Sequence, residues 1–342
     1  MELRPLAGGL TVVTGENGSG KTSLLEAIAY AGSLRSMRDS PRESLVRIGA
    51  ERAVVRLEAA DGARRTLLEI ELAPRGRDRV LRNRQRVGRV QELVETLRTT
   101  VFSPDDLEIV KGGPERRRAL LDDVVVAARP GLASTRQVVE RVLRQRNTLL
   151  KSAGGRLSAE VAATLDVWDA QLAGAGTQLT EAREALLEEM GPAASAAFSQ
   201  LAGTEAGLEL SYRRSYEGDL GSALATGRTS DLRREATTVG PHRDELLISS
   251  AGLDARTRLS QGRQRCVTLA LRLAAHEVVA RHAGTTPVLL LDDAFSELDE
   301  RTARALLEEL PPGQAILTTA GGLPPGAKAS GVVHLEGGRI VR

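Results

Sequence analysis

Apolar positions along this chain repeat with two different periods, and the switches between them outline a fold. Residues 10–15 (LTVVTG) are a short continuous apolar run, which predicts a buried strand. TSLLEAIAYA behind it carries apolar residues at helical spacing. Residues 53–73 alternate instead: AVVRLEAA, a turn at Asp61-Gly62, then RTLLEIEL, the pattern of a β-hairpin. RVLRNRQRVGRVQ (79–91) predicts a second, basic hairpin turning near Asn83. TTVFS reads as a strand and leads into SPDDLEIVKGGPERRRALLDDVV, where Ser103 is placed to cap a helix with Pro104 at its first position.

From about residue 115 to 200 the helical period takes over, and three helices are expected, with turn residues at Gly154-Gly155 and Gly191-Pro192. GLELSYRRSYEG (207–218) reads as a strand, and residues 230–238 close this stretch. Strand and helix then alternate again: ELLISSAG, a helix from Leu259, VLLLDD, TARALLEEL, QAILTT and a hairpin VVHLEGGRIV. No internal repeat and no sustained heptad array is present. The pattern predicts one α/β unit made from both ends of the chain, residues 1–112 and 237–342. A mostly helical insertion, 113–236, interrupts it.

Composition narrows the class. At 342 residues, 41% hydrophobic and 27% charged, the chain has the profile of a globular protein with real cores. No apolar run approaches the roughly 18 residues that a membrane span needs. MELRPLAGGLTVV lacks the pattern of a signal peptide. The single Cys266 cannot pair within the chain and is expected to be a buried thiol, so a cytoplasmic protein is expected. Net charge is only +2, and just four of the 47 basic residues are lysine, so basic chemistry here means arginine. Codon usage in a GC-rich genome accounts for that; so does the suitability of arginine for bidentate phosphate contacts.

Three motifs carry chemistry. GENGSGKT, Gly15 to Thr22, matches the phosphate loop G-x-x-x-x-G-K-[ST] between a strand and a helix. Its glycines (Gly15, Gly18, Gly20) let backbone N–H groups of Asn17, Ser19 and their neighbours turn inward around a nucleotide phosphate. The helix N-terminus adds a positive field, Lys21 reaches the β- and γ-phosphates, and the Thr22 hydroxyl faces Mg2+. A Gly-rich turn is the plain alternative, and the strand-loop-helix context argues against it. VLLLDD ends a buried strand in two carboxylates, Asp292 for Mg2+ and Asp293 for the attacking water. LSQGRQR places Ser260, Gln261 and Gly262 at the head of an apolar helix, either as a simple cap or as a second phosphate receptor. SELD (296–299) reads as a cap for the next helix or as part of the same machinery.

Phosphate loop, Ser-x-Gly at a helix start, apolar run with DD, and SELD, in this order, resemble ATP-binding-cassette heads. More specifically, FSPDDLEIVKGGPERRRALLDD (102–123), RQRNTLLK (144–151), GPHRDELL (240–247) and SQGRQR…LLLDDAFSELDE resemble blocks of the RecF family of bacterial recombination-mediator ATPases, over essentially the whole chain. The resemblance implies an α/β ABC-type P-loop ATPase head, a mixed sheet with antiparallel hairpins and flanking helices, with a helical second lobe inserted. It implies ATP and Mg2+ as cofactors, with Ser260, Gln261 and Gly262 acting in trans on the nucleotide of a second copy. It further implies an ATP-dependent homodimer, slow hydrolysis, binding to duplex DNA or a single-strand/duplex junction, and partner mediator proteins of the RecO and RecR type. The setting would be the cytoplasm, at the nucleoid, with no membrane role.

This chain departs from the family pattern in three places. The family begins with an additional strand carrying an Asn-Phe-Arg-like segment before the strand that leads to the phosphate loop, and since this chain starts at MELRPLAGG, about 15–20 residues are expected to be absent. GSLRSMRDSPRESLVR only loosely resembles the family's Ser-His-Arg block and takes no role. No histidine follows QAILTTA as a γ-phosphate sensor, so Thr318 or Thr319 is a weaker substitute.

For DNA, two arginine clusters stand out: Arg75, Arg77, Arg79, Arg82, Arg84 and Arg86, and then Arg116, Arg117 and Arg118. Such clusters neutralise phosphates without reading sequence. A solvated basic face reads the same way, as do local pairs of Arg117 or Arg118 with Asp122 or Asp123. Aromatic residues are only 2% of the chain, which argues against base stacking on a single strand. His242 and Arg243 line either the nucleotide or a contact between lobes.

Overall fold

The computed structural model describes residues 2–4, 8–38 and 40–341. Part of the MELRPLAGG stretch therefore lies outside the described residues. Backbone contacts divide the chain into two compact units. One comprises residues 1–107, 200–203 and 268–342, the other residues 108–199 and 204–267.

In the first unit, β1 (Gly9–Thr14) leads through a loop into α1 (Lys21–Ser33). Then β2 (Ala53–Asp61), β3 (Arg64–Leu72), β4 (Arg79–Arg82) and β5 (Gln85–Arg86) form an antiparallel sheet in sequential order. Leu68, Ile70, Leu72 and Val80 on its inner face join a core with Tyr30 and Ala31 of α1 and Leu93 of α2 (Val90–Thr96). The strand β6 (Thr99–Phe102) closes this part.

The second unit runs through α3 (Glu108–Lys111), α4 (Pro114–Ala128), α5 (Ala133–Ser152) and α6 (Ala159–Ala202). It continues with β7 (Glu209–Arg213), α7 (Leu220–Arg234), β8 (Glu245–Ser250), β9 (Leu253–Asp254) and α8 (Ala255–Arg258). The helix α9 (Gln261–Ala283) begins in this unit and continues in the first. The first unit ends with β10 (Val288–Asp292), α10 (Glu300–Glu309), β11 (Gln314–Thr319), β12 (Ala329–Glu336) and β13 (Arg339–Ile340).

The main sheet has the order β13-β12-β1-β11-β10-β6, parallel except for the β12-β13 hairpin. It is the mixed sheet that the family resemblance implies. Val13, Leu25, Leu290, Ile316 and Leu335 form its core against α1. β1, β10 and β11 are buried nearly throughout, as continuous apolar strands of a parallel sheet must be.

Two expectations need correction. ELLISS does not return to the main sheet at residue 237. As β8 it pairs with β7 and β9 in a separate three-stranded antiparallel sheet, and the first unit resumes only at residue 268. Gly191-Pro192 is not a turn either, since α6 runs through it for 44 residues. No described helix is long and apolar enough to cross a membrane.

A buried polar network explains two of the sequence blocks in the second unit. Arg146 is fully buried and donates to Asp169 (2.7 Å), Asp231 (2.6 Å) and Thr237 (2.9 Å). Asn147 Oδ1 accepts from the Thr237 N–H at 2.9 Å. RQRN thus ties down the start of the segment that ends in GPHRDELL. Asp244, buried in that segment, accepts from the Ser215 N–H at 2.7 Å and the Tyr212 hydroxyl at 2.9 Å.

Candidate functional site

Strands β1, β11 and β10 run parallel and end side by side, and the residues that follow them converge. After β1 the chain turns sharply at Gly15, where a Cβ would lie 2.3 Å from the Leu335 carbonyl oxygen, so only glycine fits. The Ser19 N–H donates to the Glu16 carbonyl at 3.1 Å, and the Gly338 N–H of the β12-β13 turn holds the Ser19 carbonyl at 3.0 Å. α1 then starts without a side-chain cap, behind Gly20 at φ 99°, so no side chain occupies its first N–H donors.

Lys21 is buried (8% exposed) and donates to the Gly15 carbonyl at 2.7 Å and the Glu16 carbonyl at 2.9 Å. Its ammonium therefore lies folded within the loop. The Ser19 hydroxyl is buried with no hydrogen-bond partner. Uncapped N–H groups, a buried cation and an orphan hydroxyl in one loop make a phosphate cradle. Asn17 and Gly18, both exposed, form its outer rim.

The carboxylates stand opposite. Asp292 (6% exposed) accepts from the Thr22 hydroxyl at 3.0 Å and the Thr318 hydroxyl at 2.7 Å, both at Oδ1. Hydroxyl and carboxylate oxygens suit a hard divalent cation. Among the described residues no group of three or more His, Cys, Asp or Glu gathers to hold a metal, so such an ion would complete its shell with phosphate and water, the habit of Mg2+. Asp293 adopts a left-handed backbone (φ 47°), unfavourable by about 1 kcal/mol for a residue with a Cβ. Its N–H donates to the Thr318 carbonyl at 3.1 Å and lies 3.2 Å from the Thr318 hydroxyl. The kink turns the chain away from the strand immediately after Asp292.

Thr318 is thus fully buried with its hydroxyl committed to Asp292, and it does not offer itself as the γ-phosphate sensor that the sequence reading considered. It orients a carboxylate instead. Glu26 escaped the sequence reading. It lies one helical turn beyond Thr22 on α1, is buried, and accepts from the Met37 N–H at 3.2 Å, leaving Oε2 without a partner. Burial raises its pKa, and the nearby Asp292 charge adds to the rise. A charged residue at an apolar position of α1 was the available signal. The contacts of Thr318 and Gly338 are long-range and carry no local one.

Asp299 caps α10, accepting from the Thr302 N–H at 2.8 Å. In the second unit, Ser260, Gln261, Gly262 and Arg263 are all exposed at the start of α9. Ser260 caps the helix loosely, accepting from the Arg263 N–H at 3.4 Å. His242 and Arg243 fold back on the Thr237 carbonyl, at 3.0 and 3.2 Å. Burial lowers the His242 pKa to about 4, so its ring is neutral.

The arginine clusters separate. Arg75, Arg77, Arg79, Arg84 and Arg86 are exposed and make no ion pair among the described residues, whereas Arg82 pairs with Glu92 at 3.3 Å. Arg116 is exposed. Arg117 is a correction: only 6% exposed, it donates to Glu245 at 2.8 Å and to the Ile109 and Gly112 carbonyls at 3.1 Å, so it cannot reach a DNA backbone. Arg118 is half-buried and holds the Asp244 carbonyl at 2.8 Å, and among the described residues Asp122 and Asp123 pair with Arg136 and Arg183 and not with either of these arginines.

Known proteins resemble the chain at every level. The family model of the RecF/RecN/SMC N-terminal domain matches residues 2–319. The DNA replication and repair protein RecF of Streptomyces avermitilis is 42% identical over 332 residues, 92% of this chain and 88% of that protein. Its counterpart in Frankia alni is 40% identical over 333 residues, with the same coverage. A solved structure of the recombination mediator protein RecF with ATP, from the RecFOR pathway, superposes with a TM-score of 0.88 at 28% identity. It covers 98% of this chain and 91% of that one. An Smc head domain from Pyrococcus furiosus shares the fold at a TM-score of 0.55 and 17% identity, covering 98% of this chain and 88% of its own.

Proposed function

The chain belongs to the RecF family, and from that premise we propose that it is an ATP-dependent DNA clamp of replication and repair. ATP occupies the loop from Gly15 to Thr22, with Lys21 drawn off its carbonyl partners onto the phosphates. The Thr22 hydroxyl and the Asp292 carboxylate would hold Mg2+, which would supply positive charge to the phosphates, and Asp293 would hold the attacking water. Ser260, Gln261 and Gly262 close over the γ-phosphate bound to a second copy, so ATP joins two subunits and hydrolysis releases them. Asp293 is one methylene shorter than glutamate, which suits slow turnover used as a timer. Duplex DNA runs along the exposed arginines of β4 and β5 and the loop before them. Mediator proteins of the RecO and RecR type are the expected partners, and loading of recombinase at gapped or junction DNA is the task.

The observation that carries this reading is the convergence of Lys21, Thr22, Asp292 and Asp293 at the ends of three parallel strands, with a phosphate cradle beside them. The decisive experiment measures molecular mass by light scattering without nucleotide, with ATP, and with ATP in Ser260→Arg. Doubling of the mass with ATP in the parent and its loss in the variant are expected. An ATP-dependent dimer that survives Ser260→Arg overturns the trans arrangement.

A further inference from the structure

A cleft of about 230 Å3 opens in the second unit, and none of its lining residues is assigned above to nucleotide or metal. One wall is a face of α4 with Glu115, Arg118 and Asp122, and the other is a face of α5 with Arg136, Val139 and Leu143. Leu179 and Arg183 of α6 and the Pro241-His242 pair complete the lining. The volume is below that of a site for a nucleotide or another drug-sized ligand, and suits a single side chain.

The charges in the cleft are unequally matched. Arg183 is spent on Asp122 (2.7 Å), the Tyr212 hydroxyl (3.0 Å) and the Pro241 carbonyl (2.7 Å). Arg136 is spent on Asp123 (2.7 Å) and Glu140 (3.2 Å). Arg118 makes one bond, to the Asp244 carbonyl, and no ion pair among the described residues. Burial and the Arg183 charge lower its pKa, and the Glu245 and Glu115 carboxylates act the other way; Glu245 is spent on Arg117 at 2.8 Å, and neither carboxylate forms an ion pair with Arg118 among the described residues. A guanidinium has five donors, and a half-buried one with a single hydrogen bond and no direct ion pair is costly.

We propose that the cleft receives a glutamate side chain of an acidic segment on a partner protein, with Arg118 as its counter-ion. Val139, Leu143 and Leu179 supply an apolar wall for the methylene stem, and Arg118 the charge at its end. A DNA backbone is a poor occupant. Glu115 and Glu140 are exposed along the same cleft and repel a polyanion, whereas one carboxylate on a flexible stem can pass between them. The proposal rests on the second unit alone and does not depend on the ATP reading.

The test is saturation-transfer NMR on the full chain with the tripeptide acetyl-Gly-Glu-Gly-amide. Weak, saturable binding is expected, at least tenfold weaker for the Gln tripeptide and for Arg118→Gln. Glu115→Gln, an exposed change that spares the fold, should tighten binding two- to fivefold by removing repulsion in the cleft. The idea is overturned if the Glu and Gln tripeptides bind alike, or if Glu115→Gln leaves affinity unchanged. It is equally overturned if inorganic phosphate or a 20-base-pair duplex displaces the peptide from the parent protein, since the site would then be one for phosphate.

Discussion

Thr318 has a fully buried hydroxyl that serves Asp292 at 2.7 Å, with the Asp293 N–H 3.2 Å away. Thr318→Val keeps the shape and removes that hydroxyl, so Asp292 retains only Thr22 as donor. A hydrogen bond to a charged group is worth about 1.5–3 kcal/mol, so turnover should fall roughly 10- to 100-fold. ATP affinity, set mainly by the loop, should stay within about threefold. Steady-state hydrolysis and equilibrium nucleotide binding, measured separately, distinguish the two. His276 tests pH rather than chemistry. It is 2% exposed, its Nδ1 lies 3.1 Å from the Thr100 hydroxyl, and burial lowers its pKa from 6.5 to about 4. The folded value lies below the unfolded one, so the contribution of His276 is complete above pH 6.5 and is lost as pH falls toward 4. Within that window it steepens the pH dependence of stability by up to about 1.4 kcal/mol per pH unit. His276→Gln should flatten the curve of urea midpoint against pH between 6.5 and 4, with little change in slope above 7.

At the element scale, α6 shows how packing overrides a local signal. An interior proline costs a helix roughly 3 kcal/mol, and Gly191-Pro192 looked like a turn for that reason. Met190 and Phe198, fully buried on either side of it, each recover about 1.5–3 kcal/mol by leaving water, together about 3–6 kcal/mol, enough to offset the cost. Pro192→Ala should therefore raise stability by about 1–3 kcal/mol, read as a higher urea midpoint with an unchanged m-value. The β4-β5 hairpin was legible for the opposite reason, because its turn chemistry is local. Asn83 (φ 50°) and Arg84 (φ 67°) occupy the two left-handed positions, and Asn83 Oδ1 accepts from the Leu67 N–H at 2.8 Å. Arg84 stands where glycine is favoured, so Arg84→Gly should stabilise the hairpin by about 1 kcal/mol while weakening DNA binding. Opposite signs in the two measurements mark a residue kept for its charge. GENGSGKT and VLLLDD were likewise readable because strand, loop and helix lie together in sequence. β8 was misassigned because ELLISS states that it is a strand but not which strand it pairs with.

On the scale of the whole molecule, the arginines decide how the charge of a nearly neutral chain is used. A net charge of +2 does not hold DNA by itself, and burial removes Arg117 from the account. Sequence could show that arginines cluster at 75–86 and 116–118. Only side-chain placement shows that the first cluster is open apart from Arg82, which pairs with Glu92, while Arg117 and Arg118 serve the interior of their own unit. Each phosphate contact contributes about 0.9 to the slope of log affinity against log salt. Replacing Arg77, Arg84 and Arg86 together by Gln should therefore reduce the slope for duplex binding by roughly 2.7 if one subunit touches the DNA. If ATP joins two subunits over the same duplex, six arginines are lost, and the reduction should approach about 5.4 with ATP but not without it. The same salt titration in Ser260→Arg should give the smaller figure under both conditions. A slope that ignores ATP in the parent would separate DNA binding from the dimer, and one unchanged in the triple variant would move the DNA off this hairpin.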